Sequence, residues 1–253
     1  MAELGATLRR LLPEAGETTV AAEIDALDLV AAAHEDRPYT VTNFALTVDG
    51  MATIDGRSGP IGTETDTAML VGLRTRVDAL MIGAGTMRTE RYGRVVGDPQ
   101  KRARRERRGL PHDPLMVLVS KRMDLPWDAG LFTDGGGRVL VFTASEDDPP
   151  ETATPVKVVR HEGTVDLTEA MRYLRRERGI RALLSEGGPH LHAQLIEADL
   201  VDELFVTTAA KLGGGAGPGL AEGLPEAVRE MELAWLATDA EGRELFQRYR
   251  ITR

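Results

Sequence analysis

A chain of 253 residues can bury a full core in one catalytic domain, and 42% hydrophobic with 28% charged residues is globular rather than disordered or fibrous composition. It has no cysteine, which excludes disulfides, thiolate nucleophiles and cysteine-ligated zinc and fits a reducing compartment. A net charge of −9 disfavours nucleic acid and anionic membranes as partners, and no apolar stretch approaches the roughly 20 residues of a membrane helix, so a cytoplasmic location is expected.

Residues 4–33 carry apolar side chains at helical spacing (Leu8, Leu11, Leu12, Ile24, Leu27, Val30) broken at Pro13 and Gly16, which predicts an N-terminal helical extension over residues 1–37. From Tyr39 the pattern is β-branched and alternating and stops at Asp49-Gly50, a strand ending in a turn that Asp49 would form; the catalytic domain is expected over residues 38–253. Thr63 and Asp66 stand at N-cap and third-residue spacing before Met69, Leu70 and Leu73, predicting a helix that ends near Arg76. Strand 78–83 then runs into Gly83-Ala84-Gly85-Thr86. The run 101–108 holds six cations in eight residues but no aromatic and no phosphate-loop glycine, and reads as a solvated helix or loop.

Strands at 115–119, 138–142 and 156–160, a helix at 167–177, a strand at 182–184 leading to Glu186-Gly187-Gly188, a helix at 190–198 and a strand at 203–208 continue the rhythm. This alternation predicts an α/β fold with a mostly parallel, doubly covered central sheet. After a glycine-rich loop at 213–219, segments 231–236 and 244–251 alternate like a hairpin and predict antiparallel edge strands at the C-terminal end.

The two glycine turns, at Gly83 and Gly85 with Thr86 and at Gly187 and Gly188, stand at carboxyl ends of predicted parallel strands and open helices whose free N–H groups suit a phosphate. Ser120 and Lys121, with Arg122, follow another strand end, where cations could neutralise an adenosine 2′-phosphate or simply be surface charge. Asp66 is open to two readings, general acid or base and helix-dipole carboxylate. The five histidines have no metal-ligand spacing and no metal is expected, nor is there a serine-hydrolase elbow or a phosphate-binding P-loop.

In order, the segments Thr42-Asn43-Phe44-Ala45-Leu46-Thr47-Val48-Asp49-Gly50, Ile61-Gly62-Thr63-Glu64-Thr65-Asp66, Ile82-Gly83-Ala84-Gly85-Thr86, Leu183-Leu184-Ser185-Glu186-Gly187-Gly188-Pro189 and Leu200-Val201-Asp202-Glu203-Leu204 with Ala210-Lys211-Leu212-Gly213-Gly214 resemble the pyrimidine reductase family of riboflavin biosynthesis. The resemblance implies a dihydrofolate-reductase-like fold, NADPH as cofactor, a homodimer, and hydride transfer to C1 of the ribosylamino group of 5-amino-6-(5-phosphoribosylamino)uracil or a close analogue. It implies that Asn43, Ser58, Thr63, Asp66 and Glu186 meet substrate, with Asp66 moving the proton, and Arg91 or Arg94 could grip its phosphate. Ala45, Pro60, Gly83, Gly85, Thr86, Ser120, Lys121, Gly187, Gly188, Pro189 and His190 would meet the dinucleotide. The deaminase half that accompanies some relatives is expected to be missing. The segment Arg88-Thr89-Glu90-Arg91-Tyr92-Gly93-Arg94 departs from the family's Asp-Asp-Pro pattern, which leaves a dihydrofolate or pterin reductase, and a non-catalytic dinucleotide-binding module, as alternatives; intact Asp66 and Glu186 weigh against the module.

Overall fold

The computed structural model describes residues 4–252; residues 1–3 and 253, the outermost ends of the two predicted segments, lie outside it. Eleven strands form one sheet: β1 (Thr7–Leu12), β2 (Gly16–Thr19), β3 (Tyr39–Thr47), β4 (Ala79–Gly83), β5 (Leu115–Val119), β6 (Val139–Thr143), β7 (Val156–Arg160), β8 (Ala182–Ser185), β9 (Glu203–Ala209), β10 (Met231–Asp239) and β11 (Glu244–Ile251). The helices are α1 (Val20–Asp25), α2 (Glu64–Arg74), α3 (Ala84–Glu90), α4 (Pro99–Glu106), α5 (Gly130–Thr133), α6 (Leu167–Arg178) and α7 (Pro189–Glu197). The strand order is β2-β1-β10-β11-β9-β3-β8-β4-β5-β6-β7.

From β9 to β7 every neighbouring pair is parallel, and from β9 outward through β11, β10, β1 and β2 every pair is antiparallel. The predicted parallel sheet with antiparallel strands on one side is therefore present. Central strands β4, β5 and β6 are nearly unbroken apolar runs because helices cover both of their faces. Their period of two splits them between two cores: Leu80 and Ile82 face α1 and α2, while Ala79 and Met81 face α6 and α7.

Two expectations are corrected. Residues 7–19 are not helical but form a β-hairpin that pairs through β1 with β10, and only Val20–Asp25 is helix, capped by the Thr19 hydroxyl. The helical spacing of Leu8, Leu11 and Leu12 is produced by an irregularity in β1: the register shifts between Arg10 and Leu12, so Leu8 is fully buried while Leu11 and Leu12 both face outward.

The basic run begins in the helix α4 and is surface-facing for most of its length, as expected, but one member, Arg105, is not solvated. Arg105 is fully buried and donates to the carbonyls of Pro111 (2.7 Å), Arg74 (2.6 Å) and Val77 (2.8 Å). Arg104 and Arg108 both pair with Asp25, and Arg102 with Asp113, so this charge is consumed in fastening α4 to the loops around it.

Candidate active site

Strands β3, β8 and β4 are adjacent and parallel, so their carboxyl ends share one rim of the sheet. A cavity of about 440 Å³ opens there. Its walls come from the end of β3 (Asn43, Phe44, Ala45), the first turns of α2 (Asp66, Thr67), the turn into α3 (Gly83, Gly85, Thr86) and the turn into α7 (Glu186, Gly188, Pro189, His190).

The two glycine turns touch: the Gly83 N–H donates to the Gly187 carbonyl at 2.9 Å. Gly187 has φ +97, which glycine adopts without strain, and a Cβ there would sit 3.2 Å from the Phe44 ring. At Gly188 a Cβ would lie 2.8 Å from the Thr86 hydroxyl, so glycine is what lets the two turns close on each other. Gly188 is also the N-cap of α7, with no side chain capping it and Pro189 in the first turn, so the helix presents bare N–H groups and its positive dipole end to the cavity. A side-chain-free, uncapped N-terminus fits the pyrophosphate of a dinucleotide.

Asp66 is buried, capped into place by Thr63, whose hydroxyl accepts from the Thr65 N–H at 3.1 Å. Thr63 is fixed in turn by Glu244 of β11, which accepts from its N–H and its hydroxyl, each at 2.6 Å. One oxygen of Asp66, Oδ1, is buried with no hydrogen-bond partner, and Oδ2 lies where a Cβ on Gly62 would be only 2.2 Å away. Burial, reinforced by the Glu244 charge and opposed by the Thr207 hydroxyl, pushes its carboxyl up to about 6. A group poised there exchanges a proton near neutral pH.

On the opposite wall Glu186 receives the Arg74 guanidinium through two bonds of 2.7 Å and the Tyr92 hydroxyl at 2.9 Å. Burial, then the neighbouring Glu186 charge, drives the Tyr92 phenol well above its ordinary range, so it serves as a neutral donor. A carboxylate offers about four acceptor positions. Three are taken, and Glu186 keeps one for the cavity it lines. His192 of α7 is buried and stacked on Phe44 at 4.5 Å; burial lowers its pKa to about 4, partly offset by the Leu220 carbonyl it contacts at 3.0 Å, so it is a neutral packing group.

Of the residues expected at the site, Asn43, Ala45, Ser58, Asp66, Gly83, Gly85, Thr86, Glu186, Gly188, Pro189 and His190 line this one cavity. The others do not. Thr63 caps α2 and Gly187 lies in the turn behind the wall. Pro60 offers its carbonyl to Lys211, and Arg94 is turned away into an ion pair with Asp113 at 2.6 Å. Ser120 is buried behind the rim and Lys121 is exposed beyond β5. Arg74, Gly62 and Glu244 are not among the residues the sequence singles out. Gly62, directly before the cap residue, is the readable signal; Arg74 and Glu244 reach the site only through the fold.

Residues 38–243 match the family described as the RibD C-terminal domain. The 2,5-diamino-6-ribosylamino-4(3H)-pyrimidinone 5′-phosphate reductase of Archaeoglobus fulgidus is 32% identical over 194 residues, 74% of this chain and 87% of that one. The enzyme of the same name from Methanothermobacter thermautotrophicus is 29% identical over 184 residues, 71% of this chain and 81% of that one. Among solved structures, a pyrimidine reductase-like protein from Corynebacterium diphtheriae superposes with a TM-score of 0.75 at 26% identity, covering 90% of this chain and 96% of the other. The chain belongs to the RibD C-terminal domain family, that of the riboflavin-biosynthesis pyrimidine reductases.

Proposed function

We propose that the protein reduces a ribosylaminopyrimidine phosphate with NADPH: 5-amino-6-(5-phosphoribosylamino)uracil, or the 2,5-diaminopyrimidinone analogue after which its archaeal relatives are named. The observation that carries the proposal is that Asp66, a buried carboxyl with one oxygen left without a hydrogen-bond partner, and the bare N-terminus of α7 line the same cavity. When bound, the reduced nicotinamide supplies a hydride, which C1 of the ribosylamino group accepts as it becomes the methylene of a ribityl chain.

The N–H groups following Gly188 and Pro189 hold the pyrophosphate, and Thr86 offers its hydroxyl beside them. Lys121 and Arg122 stand exposed just beyond β5, which pairs with β4 through Val119 and Gly83, so they lie on the same rim; this supports the 2′-phosphorylated coenzyme. Asn43 and Glu186 orient the heterocycle by its polar edge, and Arg74 and Tyr92 behind Glu186 keep that carboxylate aimed. Asp66 delivers the proton that the sugar oxygen gains as its bond to C1 opens, so proton and hydride together balance the reduction. The working protein is read as a cytoplasmic homodimer.

The test is oxidation of NADPH, followed by absorbance, with each of the two ribosylaminopyrimidine phosphates and with dihydrofolate offered separately. One of the pyrimidines should drive turnover. Oxidation driven by dihydrofolate alone would replace this reading with a pterin reductase. Because Asp66 acts as an acid, kcat/KM should fall on the alkaline side with a midpoint near 6, and Asp66→Asn should lose turnover while still binding NADPH.

A further inference from the structure

The segment after β9 contains Lys211, a residue of the Ala210-Lys211-Leu212-Gly213-Gly214 motif to which the chemistry above gives no part. Its backbone is fastened to the turn after β3. The Val48 N–H donates to the Lys211 carbonyl at 2.9 Å, and Asp49 accepts from the N–H groups of Gly213 (3.0 Å) and Gly214 (2.7 Å). From that anchored position the Lys211 side chain crosses to the segment before α2 and donates to two successive carbonyls, Pro60 and Ile61, each at 2.8 Å. The next residue is Gly62, whose backbone lies directly on the Asp66 carboxylate.

These contacts form a chain. Asp49 fixes the glycine loop, the loop fixes Lys211, Lys211 fixes the 60–62 backbone, and that backbone seals one side of the carboxylate. Glu244 of β11, the charged neighbour acting on Asp66, and Thr207 of β9, whose hydroxyl opposes its protonation, are its other close influences, and the remaining side faces the cavity. Lys211 is itself exposed, so it contributes no core packing that would explain its place.

We propose that Lys211 is a positioning residue for the proton site: by clasping the Pro60 and Ile61 carbonyls it holds the 60–62 backbone over Asp66 and keeps water off the carboxylate. This rests on reading Asp66 as the proton carrier. Loss of the clasp lets the segment lift, hydrates Asp66 and returns it toward ordinary aspartate behaviour.

The experiment compares Lys211→Met, which keeps the aliphatic stem but no donor, with Lys211→Arg, which can still reach two carbonyls. The Asp66 side-chain carboxyl is titrated by carbon NMR in the full-length, cofactor-free protein, and the pH profile of kcat/KM is recorded alongside. In Lys211→Met the Asp66 midpoint should move from about 6 toward 3.8 and the alkaline limb of the profile should move with it. In Lys211→Arg both should stay near the parental position. An unchanged Asp66 midpoint in a folded Lys211→Met protein overturns the clasp while leaving the role of Asp66 intact. Parental turnover by Asp66→Asn instead overturns the proton reading, whatever Lys211 does.

Discussion

Because the Asp66 carboxyl sits at about 6 in the folded chain against 3.8 when free, the folded protein holds a proton through a pH range in which the unfolded chain has already lost it. The stability this contributes is fully present below the unfolded value and is lost as pH rises through the folded one. At pH 8 the charged form is therefore a burden of up to about 3 kcal/mol, because each tenfold change in proton affinity is worth roughly 1.4 kcal/mol. Asp66→Asn should lift that burden, raising the urea midpoint at pH 8 and giving little or no gain at pH 3.5. Equal gains at both would show that the carboxylate is not strained by burial. Asp66 is legible in the sequence from its spacing to Thr63. Its proton affinity is not, because that depends first on burial in the folded chain and then on Thr207 and Glu244, which arrive from far along the chain.

At the scale of elements, α4 shows how a local pattern misleads. Charge density and the lack of aromatics predict a solvated surface, and for most of the run the pairings with Asp25 and Asp113 keep it peripheral. Arg105 differs because the carbonyls of Arg74 and Val77, at and just past the end of α2, and of Pro111 need a donor that only a long side chain reaches. Arg105→Ala should leave these carbonyls unpaired and cost about 3 kcal/mol or more, readable as a lowered thermal midpoint; a loss of less than about 1 kcal/mol would mean that water replaces the guanidinium. The N-terminal hairpin is hidden for a related reason: its partner strand, β10, lies at the far end of the chain and no local pattern announces it. Removing residues 1–19 should bare the edge of β10 and turn a discrete species into aggregate by light scattering. The parallel strands are easier to read, since unbroken apolar runs such as those of β4 and β5 admit few other homes.

For the molecule as a whole, the sheet divides the labour: the parallel half ends in the cavity, the antiparallel half supplies Glu244, and the anchored Lys211 follows β9, the strand where the two halves meet. Coenzyme that binds only the folded state should stabilise it by about 2.7 kcal/mol at roughly one hundred times its Kd, raising Tm by about 5–10 °C for a domain of this size. Gly188→Ala, which forces a methyl group onto the Thr86 hydroxyl, should abolish most of that rise while leaving the unliganded protein folded. A full rise in the variant would remove the α7 turn from the coenzyme site. NADH in place of NADPH should give a smaller rise, since it lacks the phosphate for Lys121 and Arg122.

The bonds between Thr63 and Glu244 span 181 residues of chain. During synthesis, then, the threonine emerges long before the glutamate that holds it. A polypeptide cut before β11 would therefore carry Thr63 without the carboxylate that fixes it, and the cap of the helix bearing Asp66 is complete only when β11 is seated beside β9.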